Sequence, residues 1–124
     1  MYYLKIRNKF SAAHNLRHYR GKCEKLHGHN FDVEIEIEGK KLDKTGLLLD
    51  FNIIKKLLAG VLSVLDHSYL NEVPPFTKIN PTSENIARYI FDEIEKKMSQ
   101  LNCKASSVSV WESEKASATY EKDE

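Results

Sequence analysis

The chain has 124 residues, 41% hydrophobic and 30% charged, the size and balance of one soluble globular domain spanning residues 1–124. Nineteen Lys and Arg against eighteen Asp and Glu leave a formal charge of +1, so no global field draws the protein to nucleic acid or to a membrane surface. No apolar run approaches the ~20 residues that span a bilayer, the opening "MYYLKIRNKF" lacks the features of a signal peptide, and a pair of cysteines does not make a disulfide framework, so the cytoplasm is the expected compartment.

From Tyr2 to His14 the even positions run Tyr2, Leu4, Ile6, Asn8, Phe10, Ala12 and His14, with Lys5, Arg7 and Lys9 between them. A period of two with one wet face predicts a strand. The next strand carries His27, His29, Phe31, Val33, Ile35 and Ile37 on one parity and Asn30, Asp32, Glu34, Glu36 and Glu38 on the other. Its acidic outer face suits the basic outer face of the first strand, which makes the two antiparallel neighbours. Gly39 to Gly46 is a polar turn region.

Asp50 then caps a helix whose apolar residues, Ile54, Leu57, Leu58, Val61, Leu62 and Leu65, recur at helical steps. It ends near Asp66 and His67. "NEVPPF" is a loop, because its prolines cannot continue a helix. A second helix opens at "PTSEN", capped by Thr82 or Ser83, with Glu84 in the first turn, where a helix favours negative charge. Ile86, Ile90, Ile94 and Met98 form its buried stripe. Two strands close the chain as a hairpin, Ala105 to Ser113 and Lys115 to Glu121. The order ββααββ defines an α+β domain: a four-stranded antiparallel sheet with two helices packed on one face.

His27 and His29 leave the same face of their strand about 7 Å apart at the backbone. His14 closes the first strand on the buried parity. Three imidazoles around a fourth, open position is the usual arrangement of catalytic zinc; hydrogen-bonded core histidines are the alternative. Cys23, in the loop before them, can be a fourth ligand, a nucleophile, a general base or an inert thiol, and metal and cations nearby would lower its pKa. The same loop holds Arg17, Arg20, Lys22 and Lys25 against Glu24, a counter-charge for a polyphosphate or simply a solvated loop.

Asp66 and His67 lie where the first helix runs out. His67 is the better proton carrier, since its ordinary pKa lies near 6.5; a histidine answering the helix dipole is the other reading. Glu112 shares the parity of Val108 and Val110, which points a carboxylate at the apolar face. A ligand with adjacent N–H donors would satisfy it with two parallel bonds; a bulge that exposes it is the alternative.

Six segments in order, "FSAAHNL", "CEKLHGHNF", "GLLLDFNIIK", "LDHSYLN", "NPTSENIARYI" and "VWESEKASATY", resemble the 6-pyruvoyl-tetrahydropterin synthase family, most closely its 6-carboxytetrahydropterin synthase branch. The resemblance implies a T-fold, in which three subunits close a β-barrel and two such trimers stack into a homo-hexamer with active sites between subunits. It implies zinc on His14, His27 and His29, Cys23 as general base, Asp66 and His67 as proton relay and Glu112 as pterin anchor. Thr82, Ser83 and Glu84 fall in a second pterin-contacting segment. The implied substrate is 7,8-dihydroneopterin triphosphate. The carboxy branch yields 6-carboxy-5,6,7,8-tetrahydropterin, acetaldehyde and triphosphate, an early step toward queuosine. The pyruvoyl branch eliminates triphosphate and keeps the side chain; the short Cys-x-x-x-His-Gly-His spacing here resembles the carboxy branch. A non-enzymatic zinc module, closed by Cys23, is the rival from another class, and it leaves Asp66, His67 and Glu112 without a role.

Overall fold

Alternation in the sequence builds the sheet. In the computed structural model, which describes residues 1–21 and 24–123, β1 (Tyr2–His14) and β2 (His27–Gly39) pair antiparallel along their whole length, with Tyr2 opposite Gly39 and His14 opposite His27. Ile6, Phe10, Ala12 and His14 of β1 are buried with Phe31, Val33, Ile35 and Ile37 of β2. Phe10 and Phe31 stack with ring centroids 4.9 Å apart, so truncating either to alanine would cost on the order of 3–5 kcal/mol. The outer face is charged in register. Arg7 approaches Glu34 at 3.9 Å and Lys5 approaches Glu36 at 3.8 Å, exposed pairs that set register more than stability.

Helix α1 (Phe51–Leu65) starts at Asp50, whose Oδ1 accepts from the Asn52 N–H at 2.8 Å. It buries Ile54, Leu58, Val61, Leu62 and Leu65. Helix α2 (Ser83–Lys97) starts at Thr82, which accepts from the Asn85 N–H, and buries Ile86, Ala87, Ile90, Phe91 and Ile94. Both helices pack on the apolar face of the sheet. At the far end of β2, a Cβ on Gly39 would stand 2.5 Å from Leu48 Cδ1 and 3.2 Å from Cys103 Cβ, so a side chain there would require Leu48 to swing aside and Cys103 to give slightly.

The sheet departs from the expected four strands. Ser68–Tyr69 forms a short β3, parallel to β1 opposite Ala12 and Ala13, and the order is β3-β1-β2-β4-β5. Two residues carry no periodicity, so only the tertiary pairing defines this strand. β4 (Lys104–Ser113) and β5 (Ala116–Tyr120) form the expected hairpin. A register shift between Trp111 and Ser113 leaves Glu112 as the extra residue of a bulge. Cys103 is buried, and burial pushes its thiol pKa up, the behaviour of an inert cysteine. No helix among the described residues is long and apolar enough to cross a membrane.

Candidate metal centre and the adjoining Asp–His pair

The β1–β2 register makes the histidine cluster. His14 and His27 are direct cross-strand partners, and His29 lies one side-chain repeat along β2, opposite Ala12. The three rings meet edge to face, with centroids 4.7 Å apart for His14–His27, 5.2 Å for His14–His29 and 4.8 Å for His27–His29. Phe31 closes the floor, 5.4 Å from His14 and 5.5 Å from His29. One ligand-capable nitrogen from each imidazole lies within 4.8 Å of the others.

The hydrogen bonds select which nitrogens face inward. His14 Nδ1 lies 2.8 Å from the Pro81 carbonyl and His27 Nδ1 2.9 Å from the Lys25 carbonyl. A carbonyl only accepts, so each Nδ1 carries the proton and each Nε2 keeps its lone pair. His14 is 2% exposed, and its Nε2 is the one buried side-chain polar atom without a partner among the described residues. Burial holds the His14 pKa below its ordinary 6.5; the Pro81 carbonyl opposes this, the nearby His27 adds to it, and the Glu112 charge opposes it. A neutral imidazole with an orphaned, inward-facing lone pair beside two more imidazoles is the donor set of a transition-metal ion, not of a hard oxygen-seeking cation. The residues present fit the metal the resemblance implies.

Asp66 and His67 are clamped onto the edge of β1. α1 ends as the Asp66 N–H bonds Leu62 O at 2.8 Å, and Asp66 and His67 together grip one residue of β1. Asp66 Oδ1 accepts from the Ser11 N–H at 2.9 Å, while the His67 N–H donates to Ser11 O at 2.6 Å. His67 has φ +56, a left-handed conformation that costs a non-glycine residue on the order of 1–3 kcal/mol and persists where its surroundings impose it. Its Nδ1 lies 3.0 Å from Asp66 Oδ2. The Ser11 N–H, then the His67 contact, holds the Asp66 carboxyl below its ordinary 3.8. The carboxylate therefore stays charged and fixes His67 with Nδ1 protonated and Nε2 outward. His67 and His29 line one cleft of about 450 Å³, together with Ser11, Ala13, Gly28 and Asn30.

The other expected site residues fall around this frame. Glu112, the extra residue of the β4 bulge, is half-buried, and its charge acts on His14 through space. Thr82 is the α2 cap and its hydroxyl oxygen accepts from Asn85 N at 3.1 Å; Ser83 is half-buried and Glu84 exposed on the first turn. Cys23 and Lys22 lie outside the described residues. Arg17 keeps its charge but is held in place: its Nη2 donates to Phe76 O at 2.6 Å and Ile79 O at 2.7 Å, bracing the proline loop. Sequence reasoning missed the Pro81 carbonyl, whose role depends on backbone 67 positions away from His14.

Residues 3–123 match the 6-pyruvoyl tetrahydropterin synthase family, and the chain is a member of it. It is 40% identical over 91 residues to a 6-carboxy-5,6,7,8-tetrahydropterin synthase of Synechocystis sp., covering 69% of each chain. It is 39% identical over 106 residues to a dihydroneopterin monophosphate aldolase of Pyrococcus furiosus, covering 86% of this chain and 85% of that one. The structure of Caenorhabditis elegans 6-pyruvoyl tetrahydropterin synthase superposes with a TM-score of 0.80 at 27% identity, over 98% of this chain and 96% of that one.

Proposed function

We propose that the protein is a zinc-dependent 6-carboxy-5,6,7,8-tetrahydropterin synthase, converting 7,8-dihydroneopterin triphosphate and water to the carboxypterin, acetaldehyde and triphosphate on the way to queuosine. The observation that carries this reading is the buried, partnerless Nε2 of His14 beside His27 and His29. His14, His27 and His29 would hold the zinc, which when bound would supply Lewis-acid polarisation of the substrate's side-chain oxygens. Cys23 is the base for the neighbouring carbon, and His67, with its Nδ1 proton held by Asp66, exchanges protons through Nε2. Glu112 accepts the paired N–H edge of the pterin ring, which lays the side chain across these groups. Thr82, Ser83 and Glu84 contact the ring from the start of α2. The basic loop of Arg17, Arg20, Lys22 and Lys25 supplies counter-charge for the triphosphate. The enzyme works in the cytoplasm as a hexamer, in which a neighbouring subunit completes each site.

The Pyrococcus relative supports a second reading, cleavage of a pterin monophosphate, because its alignment spans more of both chains than that of the Synechocystis synthase. Incubating the zinc-loaded protein with the triphosphate and, separately, the monophosphate, and identifying products by mass spectrometry, separates the alternatives. The proposal expects carboxypterin and acetaldehyde from the triphosphate. A product that keeps the whole side chain would make it a pyruvoyl-type synthase, and turnover of the monophosphate alone would make it an aldolase.

A further inference from the structure

β1 ends at His14, yet the backbone of the next three residues is hydrogen-bonded on alternating sides without being part of a strand. Asn15, Leu16 and Arg17 are half-buried, and all their backbone groups are paired. The Asn15 N–H donates to Asn71 Oδ1 at 3.0 Å, and Asn71 Nδ2 returns a bond to Asn15 O at 2.8 Å. Two residues on, the Arg17 N–H donates to Asn80 Oδ1 at 2.8 Å, and Asn80 Nδ2 bonds Arg17 O at 2.9 Å. Leu16 faces the other way: its N–H donates to Glu24 Oε1 at 3.2 Å and its O accepts from Glu24 N at 2.8 Å. Bonding that alternates sides residue by residue is the pattern of a strand inside a sheet. A primary amide offers one acceptor and two donors, so an asparagine side chain can stand in for a neighbouring peptide group.

We propose that Asn71 and Asn80, with Asn80 dominant, are positioning residues for the metal centre, a side-chain strap that extends β1 and fixes His14. Asn80 is tied to His14 twice. Its side chain grips the chain three residues past the imidazole, and its successor Pro81 supplies the carbonyl that bonds His14 Nδ1 at 2.8 Å. Asn85, from α2, donates to Asn80 O at 2.8 Å and holds that backbone in place. The strand that carries the imidazole and the carbonyl that orients it are therefore locked together through one residue. Asn71, 9% exposed, acts only on the strand side. Partners that orient a ligating histidine in this way typically change metal affinity 10–100-fold when removed.

This inference rests on the reading of His14, His27 and His29 as a zinc site. Zinc affinity of the full chain would be measured by competition with a chromophoric chelator, alongside thermal unfolding of the metal-free protein. Asn80→Ala should bind zinc about 10–100-fold more weakly, Asn71→Ala should lose less, and Asn80→Asp, which keeps the acceptor for the Arg17 N–H, should fall between Asn80→Ala and the parent. Ile94→Val, a core change remote from the strap, should lower the unfolding midpoint without weakening zinc. Should Asn80→Ala fail to fold, Asn80→Asp carries the test. Parent-like affinity in the folded Asn80 variants, or equal weakening in Ile94→Val, overturns the positioning role while leaving the zinc site standing. A parent chain that binds no zinc overturns both.

Discussion

Asp66→Asn tests the proton-transfer pair with almost no change in shape. In the native pair one carboxylate oxygen accepts from the Ser11 N–H at 2.9 Å and the other faces His67 Nδ1 at 3.0 Å. An amide has only one acceptor oxygen. If that oxygen keeps Ser11, the amide nitrogen meets His67 as a donor, and the ring must present Nδ1 as an acceptor and move its proton to Nε2. The nitrogen that faces the cleft then has no lone pair to give. Losing a positioned proton-transfer group in this way costs typically ~10²–10⁴-fold in turnover, and kcat should fall by that factor. KM and zinc content should hold, because neither residue is proposed to ligate the metal or bind the ring. Steady-state kinetics with metal analysis read the first prediction, and ¹⁵N chemical shifts of the His67 ring read the tautomer directly. An unchanged kcat with the tautomer switched would remove His67 from the mechanism. A tautomer that does not switch would refute the hydrogen-bond argument itself.

The remaining expectations use simpler readouts. His27→Ala and His29→Ala should each abolish stoichiometric zinc binding, measured by metal analysis after dialysis; full occupancy in the double variant would refute the ligand assignment. Glu112→Gln presents an N–H donor to donors of the pterin, so pterin affinity should fall about ten- to a hundredfold with zinc retained, a result that titration and metal analysis on one preparation decide. Thermal midpoints should decline as pH falls below about 3.8, because the Thr45 hydroxyl foremost holds Asp43, and the Ser11 N–H foremost holds Asp66, below that ordinary value in the fold. Below it the unfolded chain takes up protons that the folded chain refuses, and the stability these carboxylates provide is lost as pH drops through their folded values; Asp66→Asn should flatten part of that slope. Sedimentation of the purified protein should give a hexamer, and a stable, active monomer would contradict a site shared between subunits.

The strands were legible because period two is a local signal. Alternation from Tyr2 to His14 and from His27 onward marks both which residues pair and which face is buried, and the imidazoles inherit their direction from Phe10, Ala12 and Phe31. The caps were legible for the same reason, since Asp50 and Thr82 bond groups two and three residues away. What the sequence left obscure acts at long range. Ser68–Tyr69 becomes a strand only because Ala12 and Ala13 lie beside it. Arg17 reads as a loop cation, but carbonyls about sixty positions away take up its guanidinium. Asn71 and Asn80 read as ordinary loop asparagines, and nothing within a few residues signals that they complete a strand 56 and 63 positions earlier.

The exposure of His67 follows from where β1 loses its cover. Among the described residues the outer edge of β1 is paired by a strand only at Ala12 and Ala13, with Ser11 held by Asp66 and His67. From there toward Tyr2 the edge is open, and so is the outer edge of β5. Open edges are templates for another strand, and the outer sheet face gives no competing drive, because Lys5 and Arg7 are met in register by Glu36 and Glu34. In the proposed hexamer, joining edge to edge would lay a second subunit beside the point where the Asp–His pair is anchored. At 83% exposed, His67 stands open to bulk water in the single chain. A neighbour seated along β1 in the proposed hexamer would remove that water without disturbing Ser11, Asp66 or the imidazole cluster, and the contact that covers the edge would also complete the catalytic environment.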